Sequence, residues 1–395
     1  MPLKRENSSK INWLFQNIIK VKKQFVQMKY FWFSVLFGPQ RKLSDVEKEP
    51  YYRELFQNIL VWLGTIIPIP WQAWEKSAAL KYPYSEIFVF RQNGYSALPK
   101  QVVVKRFIIK MEKGNRLHTD GLKRECDALT EVQKFSGICD VFSPKLYGFN
   151  ERICCMATSH LDGVRFINLL LEIPFKRSME DLKFEKYKIQ LNNLGCWLRR
   201  IHTQENTSVK DEIKLREIVD RDIEKIKLRL ENLKNTRPID FPTEICNRIM
   251  KKSHEFAEQM LTNNPTLRSV HGDFSLVNVL YHPSTLGVID FANFGIGIPE
   301  DDLSRIFLDF VNIDACTFRF ARGKKGFLWS AFLSGYGKEI DISSDPAGKF
   351  HLLKHAIINT YMYTVHWGNR QFLNPFFCRL LYSFQRKFIL NLIFS

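Results

Sequence analysis

The sequence predicts an α+β protein of two lobes, a small strand-rich one followed by a larger, mainly helical one. Three observations predict it. Apolar runs of strand length lie at about 86–91, 101–108 and 152–158, with a helix-spaced run near 118–134 among them. Beyond residue 159 helical patterns dominate, including a charged region over 183–234 that Asn235-Thr-Arg-Pro-Ile-Asp-Phe-Pro242 breaks. Finally, 395 residues with 45% hydrophobic content are enough to bury two such cores.

The elements follow in order. Residues 1–48 read as a basic, amphipathic extension. Residues 49–158 read as the small lobe with a preceding helix. That helix carries Tyr51, Leu55, Ile59, Leu60 and Leu63 at helical spacing and ends at Ile67-Pro-Ile-Pro70, where proline stops it. Residues 159–395 read as the large lobe. Within it Thr266–Val270, Asn278–Tyr281 and Leu286–Ile289 are short apolar runs, and Pro and Ser in His282-Pro-Ser-Thr285 predict a hairpin between the last two.

That hairpin carries the chemistry. The segment His271-Gly-Asp273-Phe-Ser-Leu-Val-Asn278 precedes Val288-Ile-Asp290-Phe291. Asn278 falls at the first strand, Asp290 at the end of the second, and Asp273 on the loop before. One carboxylate can take or orient a hydroxyl proton. The Asn oxygen and the second carboxylate are hard ligands that suit magnesium on phosphate oxygens, so Asn278 and Asp290 are the candidate metal ligands. A lone His-Gly-Asp would be a tight turn; the full set at this spacing is more specific.

Here the residues resemble a family. His-Gly-Asp-x-x-x-x-Asn with a downstream Ile-Asp-Phe is similar to the aminoglycoside phosphotransferase and choline kinase family, as is Gly297-Ile-Pro-Glu-Asp-Asp302-Leu303, where Asp302 is expected to N-cap the next helix. The resemblance implies a bilobal, protein-kinase-like fold, with a small antiparallel-sheet N-lobe and a mainly helical C-lobe. It implies catalytic roles for Asp273, Asn278 and Asp290. Upstream, Lys105 within Gln101–Phe107 resembles the strand lysine that holds the α and β phosphates. Glu125 resembles its ion-pair partner, with Glu131 the alternative and a solvated helix face the plain reading of either. Ile153–Thr158 resembles the strand into the hinge, which would put adenine at residues 156–160, beginning with Met156. His202, closing a helix, reads as a satisfied core histidine. The chain departs from the kinase pattern at Leu80-Lys-Tyr-Pro-Tyr-Ser85, the expected phosphate loop, which has no glycine; Ser85 is the candidate donor there.

The implied function is an ATP- and Mg2+-dependent phosphotransferase moving the γ-phosphate to a hydroxyl of a small molecule: a sugar, amino alcohol or glycan. Glu300, Asp301, Asp314, Tyr361, Tyr363 and Trp367 could line a cation-accepting pocket by charge and cation–π attraction, or be ordinary core residues. Two alternatives belong to other classes. One is a catalytically silent nucleotide-binding scaffold, suggested by the glycine-free loop. The other is a basic protein of membrane surfaces or nucleic acid, suggested by pI ≈ 9.4.

Residues 1–42 hold nine Lys/Arg and one acid, and residues 369–395 four and none, so these segments carry +12 of the formal +17 charge. Nucleic acid is not expected, because the charge is terminal and no nucleic-acid module occurs. The same segments carry apolar stripes, Ile11 to Met28 and Phe377 to Leu392, that would suit peripheral contact with an anionic membrane or packing on the lobes. Tyr30–Phe37 is too short to span a bilayer. Eight scattered cysteines show no metal-binding spacing and read as reduced, buried thiols, hence a cytoplasmic chain, with the termini able to reach the inner membrane surface. Oligomeric state is not legible.

Overall fold

A computed structural model describes residues 50–81, 85–93, 99–111, 114–172, 182–204, 211–316, 326–337, 341–365 and 375–394. The expected extension over 1–48 lies outside the described residues. Helix α1 (Pro50–Ile66) forms because Tyr52, Leu55, Phe56, Ile59, Trp62 and Leu63 fall on one face and are buried. It ends where Pro68 and Pro70 follow. Strands β1 (Trp74–Lys81), β2 (Ser85–Gln92), β3 (Gln101–Met111), β4 (Gly114–Leu117), β6 (Leu146–Asn150) and β7 (Cys155–Ser159) make one antiparallel sheet, in the order β1-β2-β3-β7-β6 with β4 on β3. Face-alternating burial of Phe88, Phe90, Val102 and Val104 packs that sheet on α1. β1 was not expected as a strand; the alanines and lysines of Trp74-Glu-Lys-Ser-Ala-Ala-Leu-Lys81 hide its alternation. β7 starts two residues after its apolar run, because Cys154 (φ 53) closes a turn with its N–H on Glu151 O, 3.2 Å.

Helix α2 (Thr119–Val132) buries Leu122, Glu125, Cys126, Leu129 and Val132, and joins the core of the large lobe rather than the sheet's own. A second sheet, β5 (Val141–Phe142)-β11 (Thr285–Val288)-β10 (Val279–His282)-β8 (Val164–Arg165), and the pair β12 (Gly295–Gly297)-β9 (Arg268–Val270) sit beneath the cleft. Around them lie α3 (Phe166–Glu172), α4 (Leu182–His202), α5 (Glu212–Thr236), α6 (Thr243–Asn263), α7 (Pro299–Cys316), α8 (Phe327–Tyr336), α9 (Pro346–Val365) and α10 (Pro375–Phe394). Asp211 caps α5 by accepting the Lys214 N–H at 2.9 Å. The fold is thus the α+β, two-lobed one expected.

α10 packs its apolar stripe inward: Leu381, Ile389, Leu392 and Ile393 are buried, and Gln385 donates to Asn312 at 2.6 Å. Its basic residues lie on the outer side of a core helix. No helix of the described residues is long and apolar enough to cross a membrane. The cysteine expectation is corrected in one respect: Cys139 and Cys196 are joined as a disulfide, while Cys126, Cys154, Cys155, Cys246 and Cys316 are free and buried.

Candidate active site

Lys105 lies at the middle of β3 with Ile87 and Met156 as its cross-strand neighbours. Its Nζ meets Glu125 at 2.9 and 2.7 Å and Asp290 Oδ1 at 2.9 Å. Glu125 is on the buried face of α2, 3% exposed, so it is not a solvated helix residue. Glu131 pairs instead with Lys134 at 2.7 Å and Gln204 at 2.9 Å. Burial works against the Lys105 ammonium, but the carboxylates of Asp290 and Glu125 outweigh it and hold its pKa above the ordinary lysine value. Burial pushes the Glu125 carboxyl up to about 7 against the pull of Lys105. Lys105, burial opposing, holds Asp290 below the usual carboxylate range.

The loop His271–Asn278 is pinned from below by one face of α7. Asp302 Oδ2 accepts the His271 N–H at 2.7 Å and Oδ1 the Gly272 N–H at 2.9 Å. This corrects the capping expectation: α7 starts at Pro299, so Asp302 is already inside the helix and its carboxylate reaches across to the loop instead. The same carboxylate meets His202 Nε2 at 3.1 Å, and His202 Nδ1 meets the Tyr336 hydroxyl at 2.8 Å, so His202 is the satisfied core histidine expected. Two turns along, Asp309 accepts Ser275 Oγ at 2.6 Å and the Leu276 N–H at 2.8 Å. Gly272 has φ 79, and a Cβ there would strike the Asn293 carbonyl, so only glycine lets this loop approach the Asp290–Asn293 segment. The His271 ring is fully buried against Phe274 and Phe291, at 5.6 and 4.8 Å between centroids.

Asn278 closes the 3-10 turn before β10. Its amide donates to Asp273 O at 3.1 Å, and its own carbonyl accepts the Ile289 N–H at 3.0 Å, placing it beside Asp290. Asp290 has φ 69, a conformation costing a non-glycine residue about 1 kcal/mol and often found where function demands it. Asn278 and Asp290 together offer an amide oxygen and a carboxylate, a donor set of the hard kind that fits magnesium.

Asp273 is partly open to the cleft, its side chain 38% exposed. Burial raises its pKa, and Arg305 opposes the rise from 3.3 Å. Arg305 also donates to Asn359 Oδ1 at 2.7 Å. Arg305, Asp309 and Asn359 were missed by the sequence reading. A signal existed: Asp302, Arg305 and Asp309 are spaced three and four apart, one face of a helix.

Ser85 opens β2, buried, opposite Phe107, while residues 82–84 lie outside the described residues. Met156 is buried on β7. The five described acceptor candidates have other partners than Asp273. Asp314 is buried and accepts the Gly326 N–H at 3.1 Å; Tyr363 is buried with Asn312 at 3.3 Å; Tyr361 lies under Arg229 at 4.4 Å. Glu300 lines a different cavity, Asp301 binds Lys354 at 2.6 Å, and Trp367 lies outside the described residues.

Comparison with known proteins bears on this geometry. Residues 163–332, which carry Asp273, Asn278 and Asp290, match the model of the phosphotransferase enzyme family. No curated protein matches the chain. Among solved structures it resembles choline kinase LicA from Streptococcus pneumoniae, at 12% identity over 86% of this chain and 99% of that one, with a TM-score of 0.51. It also resembles APH(2")-IIia, solved with GDP and kanamycin, at 13% identity over 84% and 99%, again with a TM-score of 0.51. At such identities these likenesses speak to the fold, which is the protein-kinase-like one of the aminoglycoside and choline kinases. The match to the phosphotransferase enzyme family thus runs through the loop and hairpin just described, on a fold shared with the aminoglycoside and choline kinases.

Proposed function

We propose that the protein transfers the γ-phosphoryl group of ATP to a hydroxyl of a small molecule, a sugar, an amino alcohol or a glycan. One observation carries the reading: Lys105 bonds Glu125 and Asp290 at once, joining the small-lobe sheet to the loop that follows Asp273 and Asn278. The residues take these roles. Lys105, fixed by Glu125, meets the α and β phosphates. The backbone beyond Met156 faces the adenine, and Ser85 supplies a donor near the phosphates. Asn278 and Asp290 hold Mg2+, which when bound neutralises charge on the phosphate oxygens. Asp273 orients the acceptor hydroxyl and takes its proton late, with Arg305 keeping the carboxylate ionised. Most of the acceleration is positioning and charge neutralisation in a sheltered cleft. The GDP and kanamycin held by the related APH(2")-IIia support a nucleotide donor and a hydroxyl-rich acceptor.

The test is turnover of ATP and GTP over a panel of sugars and amino alcohols by the wild type, Asp273→Asn and Asp290→Ala. Each substitution is expected to lower turnover on the order of 10³-fold. Unchanged turnover in both would refute the assignment. Nucleotide binding without transfer to any acceptor would favour the silent scaffold instead.

A further inference from the structure

Next to the Asp302 carboxylate that holds the catalytic loop, His202 borders a cavity of about 390 Å³ whose lining includes none of Lys105, Glu125, Asp273, Asn278 and Asp290. The end of α4, the approach to β9, the start of α7 and the end of α8 enclose it. Arg199, Thr203 and Arg268 line its wall with Glu300, and His202 and Tyr336 form its floor. A neighbouring hollow of about 260 Å³ shares Arg199 and Thr203 and adds Arg200. Among the described residues no ion pair joins Arg199, Arg200 or Arg268 to an acidic side chain. Gly337 ends α8 at φ 73, and a Cβ there would overlap the Arg199 guanidinium, so glycine makes the space that Arg199 occupies.

Guanidinium groups without acidic partners at one cavity make an anion site, and their planar forks match phosphate oxygens best. The volume exceeds that of a bare ion and suits a small organic molecule. The floor is not inert. His202, in contact with Tyr336, shares the Asp302 carboxylate with the backbone N–H groups of His271 and Gly272. The cavity is therefore one side chain and one carboxylate away from the loop that carries Asp273. We propose that this cavity binds a phosphorylated small molecule through Arg199 and Arg268, and that its occupancy steadies the catalytic loop through His202 and Asp302. The site shares no lining residue with the proposed nucleotide site, and nothing in the proposal depends on which acceptor the enzyme uses.

Thermal-shift titration of the full chain with inorganic phosphate, against potassium chloride at matched ionic strength, tests it. Four proteins are compared: wild type, Arg199→Ala/Arg268→Ala, Glu300→Gln and Asp290→Asn. A saturable rise in Tm is expected for the wild type and for Asp290→Asn, and none for the double arginine variant. Glu300→Gln removes the acid from the wall and is expected to bring the midpoint to a roughly fivefold lower phosphate concentration. Amide exchange at Gly272 is expected to slow with phosphate in the wild type and not in the double arginine variant. A rise that survives loss of both arginines, vanishes in Asp290→Asn or is matched by chloride overturns the proposal, as does no rise in the wild type. Should the double variant fail to fold, an unchanged midpoint in Glu300→Gln overturns it alone.

Discussion

Lys105 and Asp290, 185 residues apart in the chain, lie 2.9 Å from each other across the cleft. The same ammonium is 2.7 Å from the buried Glu125, so a single cation satisfies two carboxylates from different parts of the molecule. Lys105→Met would leave Glu125 buried and unpaired, which is the costly way to break an ion pair. Stability should fall by about 3 kcal/mol in urea denaturation, and nucleotide turnover by on the order of 10²-fold or more. Adding Glu125→Leu should restore most of the stability and none of the turnover. Recovery of both together would show that Lys105 serves the fold alone.

Asp302 supports the catalytic loop without facing the cleft. Replacing it by Ala would orphan the His271 and Gly272 N–H groups and strand His202 in a buried site. An unsatisfied buried donor costs about 1–3 kcal/mol, so a drop of roughly 3 kcal/mol is expected for the set. Turnover should fall while the nucleotide KM changes little, because Lys105 and its partners are untouched. A raised KM with unchanged kcat would contradict that division.

Much of this was legible in the chain. His271–Asn278 and Asp290 carry a spacing that local turn chemistry almost dictates, and the hairpin between them follows from Pro283 and Ser284. Glu125 was legible because α2 places it on the face of Leu122 and Leu129. Asp302 was misread because capping is judged from sequence near a helix start, and the start lay at Pro299, three residues earlier. Arg305 and Asn359 escaped because their meeting depends on how α7 packs against α9, 54 residues away. The Cys139–Cys196 pairing is equally a matter of tertiary placement, and spacing carries no sign of it.

Arg305 is expected to set the acid side of the pH profile. Burial raises the Asp273 pKa and the guanidinium 3.3 Å away pulls it back. In the proposed mechanism Asp273 works as a carboxylate, so kcat/KM should decline as pH falls through its pKa. Arg305→Met removes the opposing charge, so the acid limb should move to higher pH. Glu125, which titrates at about 7, is common to both proteins, so the difference between the two profiles reports Asp273. An unmoved limb, or one moved to lower pH, would sever Arg305 from the reaction.

A last expectation concerns the buried polar knot between α5, α7 and α9. Asp222, Asp301 and His351 bring donor atoms within 4.8 Å of one another, as metal ligands would. The cation among them is the Lys354 ammonium, 2.6 Å from both carboxylates, with His355 Nε2 also 2.6 Å from Asp301. Burial disfavours the charged carboxylates, but Lys354 prevails and both aspartates sit below the usual range. A carboxylate whose pKa is lower folded than unfolded stabilises the fold above the unfolded value of ~4, and that contribution is lost as acid takes the pH through the folded value. Wild-type stability should therefore fall on acidification below about pH 4. Lys354→Met reverses the balance. It leaves the fully buried Asp222 with only the half-exposed Lys225 ammonium, 2.9 Å from its other oxygen, so its pKa should rise and stability at neutral pH should drop by about 2 kcal/mol. In that variant acidification from neutral pH should cost less stability than in the wild type, since protonation relieves a charge that is no longer fully compensated. Urea midpoints for both proteins between pH 3 and pH 8 would decide it: parallel curves would mean that Lys354 does not hold the aspartates ionised.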